Sequence, residues 1–132
     1  MKIKNFKKLA FIAVIVLTIG LIGCRTAPVY NVTDAPVNAS GKVSATDVKK
    51  AIMSAGAGLG WQMKEVKPGH IVGSIFLRKH SAVVDIPFTA SSYSIQYKDS
   101  TELKYDGSNI HGNYNGWIQN LDRSIQARIA SM

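Results

Sequence analysis

Strict two-residue alternation through the middle of the chain constrains its fold more than any other feature. Ile71, Gly73, Ile75 and Leu77 share one face of the segment ending at Lys79. Ala82, Val84, Ile86 and Phe88 do so in the next segment, and Tyr93, Ile95 and Tyr97 in a third. Successive side chains of a strand point to opposite faces, so this pattern buries one side of each strand and wets the other, as in an antiparallel sheet covered on one face. The stretch Trp61–Val66 alternates too, and Lys67-Pro68-Gly69-His70 and Asp106-Gly107-Ser108-Asn109 carry turn residues. Leu103 and Tyr105 either extend the ladder or form a further hairpin arm. Pro87 lacks the N–H that a ladder needs, which predicts an edge strand or a bulge there.

A helical period brackets these strands. Ser44-Ala45-Thr46-Asp47 offers N-cap residues and a first-turn acid, and Val48, Ala51, Ile52, Ala55 and Leu59 follow on one face. Gly56, Gly58 and Gly60 end that helix; they lack the preceding strand and the spacing of a phosphate-binding turn. Tyr114, Trp117, Ile118, Leu121, Ile125 and Ile129 form the apolar stripe of a second helix over Asn113–Ala130. Two amphipathic helices and a sheet with one apolar face cover each other best as an α+β two-layer sandwich. We therefore expect an antiparallel sheet of three to five strands with an N-terminal and a C-terminal helix on one face. One core must suffice for this unit of about 87 residues, and the single cysteine leaves no disulfide to support it.

The N-terminus has a different logic. Lys2, Lys4, Lys7 and Lys8 precede an apolar run from Leu9 to Ile22, which is shorter than the ~20 residues of a membrane-spanning helix. A charged segment, an apolar segment and a small residue before the cut are the parts of a secretory signal. Leu21-Ile22-Gly23-Cys24 resembles the lipobox of bacterial lipoproteins. That resemblance implies cleavage before Cys24, a diacylglyceryl group on its thiol and acylation of the new amino terminus. It also implies transport to the outer membrane, because Arg25 differs from the Asp that retains such proteins in the inner membrane. In a Gram-positive source the anchor would instead lie in the outer leaflet of the only membrane. Residues 25–45 contain Pro28, Pro36 and many small polar residues without a sustained period, and read as a flexible tether with a reach of roughly 25 Å. Val29, Tyr30 and Val32 could make a short strand or docking segment within it. The expected division is a signal peptide over 1–23, lipidated Cys24 and tether over 24–45, and one α+β domain over 46–132.

Loss of the signal changes the charge. Four of the sixteen basic residues lie in 1–23, so twelve remain against eight acids, a net +4. This balance favours anionic envelope components weakly and in a salt-dependent manner. No stripe of Arg and Lys interleaved with aromatics suggests a nucleic-acid partner.

Catalytic motifs are not apparent. His70, His80 and His111 have no metal-ligand spacing, and no Gly-x-Ser-x-Gly elbow is present. His80 and Asp85 are five apart and point to opposite faces of a regular strand. Asp99, Glu102 and Asp106 fall in or beside turns, where acids serve the backbone. We expect no catalysis, no metal and no cofactor. The candidate binding residues are Asn113, Tyr114 and Trp117, since amide and aromatic side chains together can stack on and hydrogen-bond a sugar or peptide. The competing assignment is an Asn N-cap followed by two core aromatics. Ser94, Gln96 and Lys98, with an exposed edge strand, form the other expected contact surface.

Trp61-Gln62-Met63, and Tyr93–Ser100 leading into Ile110–Ile118, resemble a group of small uncharacterised lipoproteins of Gram-negative bacteria. The resemblance implies an envelope location and carries over no functional residue except Cys24. The expectation is a non-catalytic binding or accessory module on the periplasmic face of the outer membrane, held by the lipid on Cys24, with an envelope protein or glycan as partner. Direct binding of an envelope glycan or lipid is the alternative. Lysozyme inhibition and enzyme activity rank below both, and oligomeric state is left open.

Overall fold

The structure, a computed structural model, describes residues 25–132. The expected signal peptide and Cys24 lie outside the described residues. Seven strands and two helices follow in the order β1 (Thr26–Pro28), β2 (Val32–Pro36), α1 (Ala45–Gly58), β3 (Gln62–Lys67), β4 (His70–Leu77), β5 (His80–Pro87), β6 (Ser92–Thr101), β7 (Asn109–His111) and α2 (Gly112–Ala130). The main sheet is antiparallel, five-stranded and ordered β2-β6-β5-β4-β3, while β1 and β7 pair separately.

Alternation does what its period predicts. Ile71 and Ile75 from β4, Ala82, Val84 and Ile86 from β5, and Tyr93 and Ile95 from β6 point inward. They join one cluster with Val48, Ile52 and Ala55 from α1 and Ile118, Leu121, Ile125 and Ile129 from α2. The helices flank the sheet and pack on each other, completing the two-layer α+β sandwich. The opposite face of the sheet, with His70, Val72, Ser74, Val83 and Asp85, is only half-buried.

Helix α1 starts with a capping box. Ser44 Oγ accepts from Asp47 N–H at 3.1 Å, and the Asp47 carboxylate accepts from Ser44 N–H at 2.9 Å. The helix ends at Gly58, with Gly60 at φ +88° turning the chain toward β3.

Several expectations need correction. The segment 25–45 is not a tether over its whole length, since it supplies β1 and β2, and the folded unit begins at about Thr26. Its pattern misleads because a bulge separates the paired residues Val32 and Ala35; both are buried although they are three apart. Ser94 is not solvent-facing but 4 % exposed, with its Oγ accepting from Asp34 N–H at 2.9 Å. Strand β5 is interior, and Pro87 is tolerated there as its last residue. Leu103 and Tyr105 form no strand: Leu103 is a buried loop residue, and Tyr105 is exposed. Leu59 and Leu77 leave the core at the ends of their elements. The N-cap of α2 is His111 rather than Asn113.

Candidate functional site

The predicted binding residues open α2, and local hydrogen bonding explains why the helix starts there. His111 Nδ1 accepts from Asn113 N–H at 3.1 Å, capping the helix. Gly112 N–H donates to the Arg25 carbonyl at 3.3 Å, and His111 N–H donates to the Leu103 carbonyl at 2.8 Å. Asn115 then acts as a buckle. Its Nδ2 donates to the Pro28 carbonyl and its Oδ1 accepts from Tyr30 N–H, both at 2.9 Å. This turn of helix thus fastens the N-terminal strand to the domain.

Asn113, Tyr114 and Trp117 do not converge on one surface. Asn113 is exposed, Tyr114 is fully buried, and Trp117 is half-buried against the core. The Tyr114 hydroxyl is enclosed without a hydrogen-bond partner among the described residues, and burial, then the neighbouring Tyr97 and Tyr105, push its phenol far above the usual range. Burial likewise raises Tyr93, whose hydroxyl donates to the Asp122 carboxylate.

The aromatic surface lies beside this segment, in Tyr97, which alternation placed on the apolar face, and in Tyr105. Tyr97 packs edge-on to Tyr114, with centroids 5.6 Å apart, and stacks on Tyr105 at 4.1 Å. Tyr97 and Tyr105, with Lys98, Asp99, Ser100, Glu102 and Lys104, line an open cleft of about 400 Å³. Tyr105 is 41 % exposed. An aromatic face ringed by both charge signs suits a polar ligand with one flat apolar side.

On the uncovered sheet face, β4 and β5 bring His70 and Asp85 together. His70 Nε2 donates to Asp85 Oδ1 at 2.7 Å, and Lys98 Nζ lies 3.4 Å from the same oxygen. Sequence spacing drew attention to His80 instead, because the pairing of His70 with Pro87 and Val72 with Asp85 is a property of the hairpin register. An imidazole–carboxylate pair can support a nucleophile, but no hydroxyl hydrogen-bonds the second ring nitrogen among the described residues. No group of three or more His, Cys, Asp or Glu that could hold a metal is present among the described residues. His80 Nδ1–H donates to the Glu102 carbonyl at 2.9 Å, and its ring lies 6.5 Å from that of His111.

One further surface was not foreseen. The β4–β5 hairpin ends in Phe76-Leu77-Arg78-Lys79, with Phe76 66 % and Leu77 51 % exposed. Among the described residues, no helix is long and apolar enough to cross a membrane. Comparison with protein-family models, curated proteins and solved structures finds no match.

Proposed function

We propose that this chain is a lipoprotein anchored through Cys24 to the periplasmic face of the outer membrane, where its α+β domain is a non-catalytic binding or accessory module of the cell envelope. The observation that carries this reading is the ordered N-terminal pattern: four lysines without an acid, the apolar run Leu9–Ile22, and Leu21-Ile22-Gly23-Cys24. Arg25 in the next position supports outer-membrane sorting. The one cysteine of the chain would be consumed by the lipid, leaving no free thiol in an oxidising compartment.

Proximity cross-linking in live cells tests the accessory role, with the wild type compared with Cys24→Ser. The expected result is one dominant envelope protein that is lost or weakened in the unanchored variant. Recovery of no protein from the anchored form would count against it. The mass of the N-terminal peptide tests the anchor itself: it should begin at Cys24 and carry the diacylglyceryl and amide-linked acyl groups.

A second reading, direct glycan binding, is favoured by the Tyr97–Tyr105 stack and its charged cleft. It predicts that Tyr105→Ala abolishes retention on peptidoglycan or lipopolysaccharide without a change in melting temperature. Unchanged retention would remove it.

A further inference from the structure

We infer that the β4–β5 hairpin tip, Phe76-Leu77-Arg78-Lys79, is a second membrane contact that inserts into the same anionic bilayer that holds the lipid on Cys24. The inference rests on the proposed anchor and adds an orientation to it.

Position comes first. Cys24 is one peptide bond from Arg25, whose carbonyl already accepts from Gly112 N–H. Thr26 is registered opposite His111, the His111 ring lies 6.5 Å from that of His80, and His80 is registered opposite Leu77. Those steps amount to roughly 20 Å from the start of β1 to the hairpin tip. Arg25 and the tip therefore occupy the same end of the molecule. The β5–β6 turn at Thr89–Ser92 is at the other end, since β5 runs from His80 to Pro87. With Thr26 already in a strand, little free chain remains to lift this end off the bilayer.

Composition comes second. Phe76 and Leu77 are among the large apolar side chains that the domain leaves exposed, and as successive strand residues they flank the hairpin end on its two faces. Arg78 and Lys79 form the two-residue loop between the register partners Leu77 and His80, and Arg25 adds a third cation at this end. Glu102, whose carbonyl bonds His80, is the acid beside them. Apolar side chains beside cations are what an interface with anionic headgroups accommodates: the rings and alkyl groups enter the acyl boundary while the charges remain among the phosphates. Arg78 has φ +59°, a conformation that favours Gly or Asn in such loops.

The test uses the full lipoprotein purified from membranes. Leu77→Cys, or Ala90→Cys in the β5–β6 turn as control, is labelled with an environment-sensitive nitrobenzoxadiazole. The protein is then reconstituted in phosphatidylethanolamine–phosphatidylglycerol vesicles containing doxyl-labelled lipid. Lipidated Cys24 cannot react, so one label per chain is expected, with blue-shifted emission at position 77 and several-fold stronger quenching there than at position 90. Arg78→Glu with Lys79→Glu should abolish that difference. One label per chain with equal, water-like emission at both positions overturns the second contact and leaves the anchor intact. Two labels per chain overturn the anchor and the second contact together. A tip that is water-exposed on vesicles yet cross-links to a single envelope protein in cells also overturns it, by assigning the surface to a protein.

Discussion

At the scale of single residues, Asn115 and Tyr114 are neighbours with opposite polar behaviour. Asn115 uses both ends of its amide, bonding Pro28 and Tyr30 across the sequence distance between α2 and the N-terminus. Asn115→Ala removes both bonds, and at a net 0.5–1.5 kcal/mol each we expect a loss of about 1–3 kcal/mol in urea unfolding. Amide exchange should accelerate more at Tyr30, which loses its own acceptor, than at Val84 and Ile86, whose exchange deep in the sheet follows the global loss alone. Tyr114 carries a buried hydroxyl with no partner among the described residues. Tyr114→Phe keeps the ring packing and discards a desolvated group, so stability should hold or rise by up to about 1 kcal/mol. A clear fall in melting temperature would mean that the hydroxyl has a partner. Neither role was readable from the sequence. The sequence offered Asn113 as the cap, and the choice of His111 depends on backbone angles that spacing does not encode. That Tyr114 was a core aromatic was among the readings left open, because its position in the α2 stripe is set by the helical period alone.

At the scale of elements, α1 and β3 approach closely because two glycines make room for one methionine. A Cβ at Gly56 would lie 2.6 Å from Met63 Cγ, and one at Gly73 3.0 Å from Met63 Sδ. Gly56→Ala should therefore cost about 1–3 kcal/mol by overpacking, and adding Met63→Ala should recover part of that loss. Chemical denaturation of the single and double variants checks both statements. The caps of the elements have a pH signature. Hydrogen bonds from the Ser44 backbone and then its side chain hold the Asp47 carboxyl below its usual range, and those from the Asn109 and Ser108 backbone do the same for Asp106. Both groups have a folded pKa below the unfolded value, so the unfolded chain takes up protons first. Their stabilisation is present above the ordinary aspartate pKa of about 3.9 and is lost as pH falls through the lower folded values. Urea midpoints measured from neutral pH downward should decline in that acid window, and Ser44→Ala should reduce the acid dependence contributed by Asp47. Elements with an uninterrupted period were legible: β4, β5, β6 and α2 follow from alternation or from the helical stripe. Strand β2 was not, because its bulge places Val32 and Ala35 three apart and Asp34 at φ +49°, which erases the two-residue signal. The His70–Asp85 contact was hidden for a related reason, since it belongs to register between strands and not to either strand alone.

At the scale of the whole molecule, the conversion of an expected tether into two strands changes what the domain can reach. A flexible segment of about 20 residues would let the domain sample roughly 25 Å around its anchor and meet partners by diffusion at the end of a leash. With Thr26 registered on β7 and Val32 on β6, the domain instead begins almost at Arg25. A compact unit of this size is on the order of 35 Å across, so on the proposed Cys24 anchor its surfaces would stay within about that distance of the bilayer and its range of orientations would be narrow. The proposed anchor would then present the Tyr97–Tyr105 cleft and the uncovered face with His70 and Asp85 at set heights above the membrane. Inserting a Gly/Ser segment of about 20 residues between Arg25 and Thr26 separates these two arrangements, because it preserves Cys24, the Arg25 sorting position and every residue of the fold. Melting temperature should change little, since the insertion precedes β1 and displaces only the bond from Gly112 N–H to the Arg25 carbonyl, which the last inserted residue can replace. Outer-membrane fractionation should also be unchanged. The yield of the dominant cross-link in live cells should fall severalfold, because a freely sampled orientation lowers the effective concentration of the contact surface at a partner in the same membrane. An undiminished yield would show that orientation relative to the bilayer contributes nothing, and that the short connection between Cys24 and β1 serves only to hold the domain nearby.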